Sequence, residues 1–227
     1  MKASYVVKRS TGTVGFENGW SAGQWEGVNI LELKYHMGDR PRHFPKTQAK
    51  LLYDDGNLYV FFRVEDRYVR CTVDKMQGDV CHDSCVEFFF APEEGTGPGS
   101  NYFNLEANCG GTILFNCGHP LRDPAINDRH RIDPADLEQV EVHASLPGTI
   151  DPEIAEPTTW TLGCKLPFGI VEKYSGAERP QSGIKWSANF YKCADKTSHP
   201  HWLTWAPVDN PAPKFHLPQF FGALEFE

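Results

Sequence analysis

Concentrated positive charge is missing from this sequence. Asp and Glu outnumber Lys and Arg 30 to 22, the net charge is −8, and no Lys/Arg cluster occurs. Such a distribution argues against nucleic acid or an anionic membrane as the main partner, because both select a dense basic patch. No apolar run approaches the roughly 18 residues a membrane helix needs, so no membrane insertion is expected. The first residues, MKASYVVKRSTG, contain no apolar segment of the signal-peptide type. That points to the cytoplasm as the sequence stands, or to the cell surface or exterior if a leader has been removed. A sustained 3.6-residue apolar period is also absent, although Ile170–Tyr174 reads as one helical turn. GTGPGS lacks the Lys and the strand-to-helix setting of a phosphate cradle. Neither G-x-S-x-G nor H-E-x-x-H occurs, which removes common hydrolase and zinc-protease signatures.

Disulfide logic finds little support. Cys71, Cys81, Cys85, Cys109, Cys117, Cys164 and Cys193 make an odd set of seven with no C-x-x-C. They read as small buried hydrophobes or free thiols rather than a disulfide framework. Cys81-His82-x-x-Cys85 holds three zinc-ligand residue types. On a strand, however, Cys81 and His82 would point to opposite faces, which disfavours zinc.

What the chain does hold is 40% hydrophobic and 13% aromatic residues, enough for a real core in 227 residues. Short alternating runs separated by Gly, Pro, Asp and Asn predict strands. Thr47–Tyr53 and Leu58–Glu65 flank Asp54-Asp55-Gly56-Asn57, a hairpin signal because Gly and Asn tolerate positive φ. Leu58, Val60, Phe62 and Val64 share one face and should be core. Further strands are expected at Cys85–Ala91, Tyr102–Asn108, Thr112–Asn116, Val140–Leu146, Trp160–Leu166, Ile184–Tyr191, His201–Trp205 and Leu224–Phe226. Residues 118–138 and 147–158 read as surface loops. The expected fold is all-β, a jelly-roll-like antiparallel β-sandwich of roughly ten strands, as a single domain over residues 1–227.

One strand carries an anomaly. In HDSCVEFFFAP, residues 82–92, Glu87 interrupts an apolar run. Matching apolar faces across the turn at residues 91–101 sets Val86, Phe88 and Phe90 against Phe103, Leu105 and Ala107. Glu87 then shares the other surface with Asn104 and Glu106. Opposed side chains there lie about 5 Å apart, and two carboxylates so close need a cation, water or hydrogen-bond donors between them. A polyol supplies such donors; a wetted outer sheet face explains the pattern equally well. The C-terminal stretch HPHWLTWAPVDNPAPKFHLPQFFGALEFE is rich in aromatics and prolines. Trp202 and Trp205 read more readily as core than as binding platforms. Phe215, between Pro213 and Pro218, is harder to bury and reads as a platform.

The succession AKLLYDDGNLYVFFRVED, DSCVEFFFAP, YFNLEAN, WTLGCKLPF, WSANFYKCAD and HWLTWAPV…FHLPQFFGALEF resembles the family 9 carbohydrate-binding modules, from about Thr47 to Phe226. The resemblance implies a β-sandwich that binds sugars, often at chain ends, and often carries structural calcium. It also implies association with glycan-degrading enzymes or secretion. In that family two Trp rings clamp a terminal sugar. By position, Glu87 matches the acidic residue of the DS…VE strand. Asn104 and Glu106 match polar sugar-contacting positions, an Arg of the family pattern appearing here as Asn104. Phe215 falls where the C-terminal clamping Trp lies. The other clamp position holds Val80, Cys81 and His82, so His82 is the candidate for stacking in its place. The ligand-binding set is therefore Glu87, Asn104, Glu106, Phe215 and His82. Calcium, through the resemblance alone, would fall to Asp54, Asp55 and Asp66.

Two rival readings follow from residue chemistry. A retaining glycoside hydrolase wants carboxyl groups about 5–5.5 Å apart, a separation Glu87 and Glu106 could reach. A haem-binding sandwich would need axial ligands, for which Met37, Met76, His36, His82 and His216 qualify by type.

Overall fold

The structure is a computed structural model that describes residues 2–118 and 129–227. Chain order begins with β1 (Ser4–Arg9), β2 (Leu31–Glu32), β3 (Tyr35–His36), β4 (Lys46–Tyr53), β5 (Asn57–Asp66) and β6 (Val69–Cys71). Then come β7 (Cys85–Ala91), β8 (Tyr102–Asn108), β9 (Ile113–Gly118), β10 (Arg129–Arg131), β11 (Glu141–Ala144) and β12 (Ile150–Ile154). The last are β13 (Thr158–Pro167), β14 (Lys185–Cys193), β15 (Trp202–Thr204) and β16 (Gly222–Phe226). Short helices α1 (Pro134–Leu137) and α2 (Phe168–Ser175) interrupt them; α2 is the turn expected at Ile170–Tyr174.

Hydrogen bonding joins the long strands into one curled sheet, ordered β10-β9-β8-β7-β14-β16-β1-β4-β5-β13-β11. The curl folds the first half over the second, giving two layers. β1 is the crossing strand: Ser4–Val7 pair with β16, and Lys8–Arg9 pair with β4. Both pairings are parallel, so the all-antiparallel expectation is corrected there. An unbroken crossing strand must run alongside two strands that approach from opposite layers, and pattern alone cannot give their sense. The loop expected at residues 147–158 contains β12, which pairs with β6. β10 and α1 lie within the other expected loop, and residues 119–128 of it fall outside the described residues.

The predicted β4–β5 hairpin forms, with Asp54 Oδ1 accepting from the backbone N–H of Gly56 (2.8 Å) and Asn57 (2.7 Å). Leu58, Val60, Phe62 and Val64 enter the core between the layers, where they meet Val86, Phe88, Phe90, Phe103 and Leu105. The opposite face of β5 is also covered. Tyr59 and Phe61 pack beneath Val14, Phe16, Trp25 and Val28 of the N-terminal segment. Gly163 makes room for this cover, since a Cβ there would lie 2.3 Å from the Phe16 ring.

A charged cluster is sealed into one end of the core. Lys192, 0% exposed, lies 3.5 Å from Asp66 and donates to Cys193 O (3.0 Å), with His201 Nε2 at 2.8 Å. Asp66 also meets His43 Nε2 (2.7 Å) and accepts from Trp160 Nε1–H (3.2 Å). Its carboxyl is held well below the usual range, the adjacent Lys192 and His43 outweighing burial. Burial, then Lys192, pushes His201 down to about 3.

This depression makes the fold acid-sensitive. Between about pH 6.5 and 3 the unfolded chain takes up a proton at His201 that the native state refuses, so stability falls as pH falls. The slope is about 1.4 kcal/mol per pH unit, so on the order of 3 kcal/mol is lost by pH 4.5. Asp66 acts in the same direction, but only below its ordinary value near 3.8. Urea unfolding at pH 7 and 4.5 should therefore show a markedly smaller loss in His201→Gln, which keeps an acceptor for Lys192. An equal loss in both proteins would assign the acid sensitivity elsewhere.

Candidate functional site

Pleat alternation puts Val86, Phe88 and Phe90 into the core and turns Cys85, Glu87 and Phe89 outward. Register then sets the neighbours. Glu87 is opposite Glu106 on β8 and Tyr191 on β14, while Asn104 is opposite Phe89. The sequence-derived patch is therefore real as a shared surface. It is not a wetted sheet face: Glu87 is 2% exposed, Asn104 1% and Glu106 6%. The chain between Trp205 and β16 folds back over it, packing Phe215 and Phe221 onto Phe89, Tyr102 and Tyr191.

A pocket of about 270 Å³ remains open through this cover. Glu87, Glu106 and Cys193 line it from the sheet, Cys81 and Asp195 from flanking turns, and Trp202, Pro213 and Phe215 as apolar walls. Lys214 and His216 complete the lining. A larger cavity, about 680 Å³, lies beside Tyr102, Phe103 and Tyr174–Ala177, but among the described residues Glu93 is the one acidic side chain lining it. Converging polar groups, rather than size, mark the smaller pocket as the site.

Each polar group is positioned. Asn104 Nδ2–H donates to Glu106 Oε1 (2.9 Å), and the Cys193 thiol donates to Glu87 Oε1 (3.1 Å). Trp202 Nε1–H donates to Asp195 Oδ1 (2.8 Å), which pins the indole at the pocket edge. Asp195 keeps an exposed surface, yet desolvation around its carboxyl raises its pKa, opposed by the Trp202 bond and by His82. Burial pushes Cys85 up to about 12 and Cys193 well above its ordinary value, so both thiols are neutral at pH 7. The floor thus presents carboxylate acceptors between an aromatic wall and a half-buried indole. It suits a ligand rich in hydroxyl donors with an apolar face.

Three sequence expectations change here. Phe215 is buried, 9% exposed, and stacks on Tyr191 with ring centroids 4.2 Å apart; it forms a wall rather than an open platform. His82 belongs to the 3-10 turn Val80–His82 and does not line the pocket. That turn is fastened to the loop after β14, with Asp195 N–H donating to Cys81 O and Lys196 N–H to His82 O, and His82 acts on Asp195 electrostatically. Asn104 lies behind Glu106 and supports it, without lining the pocket. The ring that sequence reading assigned to the core, Trp202, is the half-buried one; Trp205 is the core residue. Trp202 opens β15, a three-residue strand paired with β14 on one side and β3 on the other, and its ring is left half-buried at the strand's start. The three aspartates considered for calcium do not converge. Asp54 is engaged by its own turn and Tyr59, Asp55 pairs with Arg9, and Asp66 lies about 30 Å away at the far end of β5.

The haem candidates sit in ordinary packing and hydrogen-bond settings. Met37 is buried under the C-terminal cover, Met76 is exposed, His36 Nδ1 bonds Gly38 O, and His216 Nδ1 bonds the Tyr102 hydroxyl.

The chain matches carbohydrate-binding family 9 over residues 26–226 and belongs to that family. Among solved structures, a protein from Bacteroides uniformis provisionally described as carbohydrate-binding is 28% identical, with full coverage of both chains and a TM-score of 0.85. A family 9 module from Caldicellulosiruptor kristjanssonii in complex with cellotriose is 12% identical, covers 99% of this chain and 94% of that one, and has a TM-score of 0.63. The same organism's module in complex with glucose is 12% identical with a TM-score of 0.62, covering 99% and 96%. No curated protein matches significantly. No helix among the described residues is long and apolar enough to cross a membrane.

Proposed function

We propose that this carbohydrate-binding domain holds the end of a sugar chain in the pocket above Glu87 and Glu106, without cleaving it. The supporting observation is the convergence of two buried carboxylates beneath a half-buried tryptophan in a space of about 270 Å³. Pockets for drug-sized ligands span about 300–1,000 Å³, so this one admits a single ring rather than a chain lying through it. Glu87 and Glu106 would accept from sugar hydroxyls while Trp202 covers the C–H face. Both acids rise from adjacent strands into one floor, so they meet a bound ring from one side. Glycoside cleavage needs carboxyl groups flanking the scissile bond, which favours binding over hydrolysis. Such a domain would act beside glycan-degrading enzymes, bringing them to chain ends.

The Caldicellulosiruptor modules make glucose and cellotriose the first probes. Titration calorimetry with these and a panel of other mono- and oligosaccharides should find a binder. Glu87→Gln, which keeps shape but removes a charged acceptor, should weaken it by about 10- to 100-fold, as loss of a hydrogen bond to a charged group costs about 1.5–3 kcal/mol. A folded wild-type protein with no affinity across the panel would overturn the reading.

A further inference from the structure

Beneath the pocket lies a cluster that shares Glu87 with the proposed sugar site and adds two thiols that sugar binding does not use. Cys85 on β7 and Cys193 on β14 are directly paired residues, and Glu87 follows two positions along β7 on the same face. Their donor atoms all lie within 4.8 Å of one another, and all three residues are buried. Cys193 Sγ is 3.1 Å from Glu87 Oε1. In a tetrahedral zinc site, with Zn–S near 2.3 Å and Zn–O near 2.1 Å, donors lie about 3.6–3.8 Å apart. The observed spacing brackets that value, so side-chain shifts of about 1 Å would close a coordination shell.

We infer that Cys85, Glu87 and Cys193 form an open three-donor site for a thiophilic divalent cation of the zinc class. Two sulfurs among three donors select against calcium and magnesium, which take oxygen shells. An entry path exists, because Glu87 and Cys193 both line the pocket. The fourth position faces that opening, where water or Glu106, opposite Glu87, can complete the shell. Cys81-His82-x-x-Cys85, the spacing that suggested zinc in the sequence, contributes Cys85 alone among these three donors; the second thiolate comes from β14, more than a hundred residues away.

Cobalt(II) is the probe, added to reduced, chelator-stripped wild-type protein without sugar. One equivalent should bind with sulfur-to-cobalt charge-transfer absorption and tetrahedral visible bands, both abolished by added zinc. Cys85→Ser and Cys193→Ser should each weaken cobalt binding at least about tenfold. Cys109→Ala, in the separate Cys71–Cys109 thiol pair, should leave it unchanged. Should a serine variant fail to fold, alkylation of the wild type mapped by mass spectrometry serves instead: zinc should protect Cys85 and Cys193. Absence of charge-transfer bands, bands kept by both folded serine variants, or equal alkylation with and without zinc would overturn the site. Because no sugar is present, such a failure leaves the sugar reading standing, and an absent sugar affinity leaves this one standing.

Discussion

Trp202→Ala is expected to reduce sugar affinity by about 30-fold or more while leaving the fold intact. Aromatic anchors at the centre of a small site cost about 2 kcal/mol or more when truncated. Trp202 is the one tryptophan on the pocket wall, and its indole is oriented by the bond to Asp195 before any ligand arrives. Preorientation means little ordering is left for binding to offset. Stability should change modestly, because the ring is only half-buried and stands at the first position of a three-residue strand. Trp202→Phe should recover part of the affinity, since a ring face remains without the Asp195 bond. Calorimetry alongside a thermal melt checks both halves. Affinity unchanged in a folded Trp202→Ala protein would remove this ring from the site and leave Phe215 as the aromatic wall.

The largest stability effect should come from Lys192→Met. Its ammonium is fully buried and has three partners: Asp66, Cys193 O and His201. Removing it leaves the Asp66 carboxylate sealed in the core with His43 Nε2 and Trp160 Nε1–H as its side-chain hydrogen-bond partners. Breaking one side of a buried pair costs about 3–5 kcal/mol. For a chain of this size that corresponds to a melting temperature lower by about 6–20 °C. Asp66→Asn combined with Lys192→Met should destabilise less than the sum of the two single changes, because the second substitution removes the charge the first stranded. A strictly additive double variant would show that the two groups are not coupled.

Much of the site was legible in the sequence because side-chain alternation on a strand is a local rule. Val86, Glu87 and Phe88 on β7, with Leu105, Glu106 and Ala107 on β8, assign each side chain to a face once the hairpin register is set. Depth was not legible. Whether an outward face meets water or a covering segment depends on where the Pro-rich stretch before β16 returns, and composition cannot place it. Hence Phe215 reads as exposed and is buried, while Trp202 reads as core and lines the pocket. The same limit applies at Asp66. An acid at a strand end reads as a surface or cation-binding group, and only packing brings Lys192 from β14 to neutralise it.

By itself, then, the sequence determined the segments of β4, β5, β7–β9, β11 and β13–β16, with the hairpin turns and side-chain faces that go with them, since these follow from contacts within a few residues; β1, β2, β3, β6, β10 and β12 lie outside the segments it marks. Tertiary structure alone decided the parallel crossing of β1, the cover over the acidic face and the meeting of Cys85, Glu87 and Cys193. Those features join residues distant along the chain, and their geometry is set by how two curled layers close on each other rather than by any local preference.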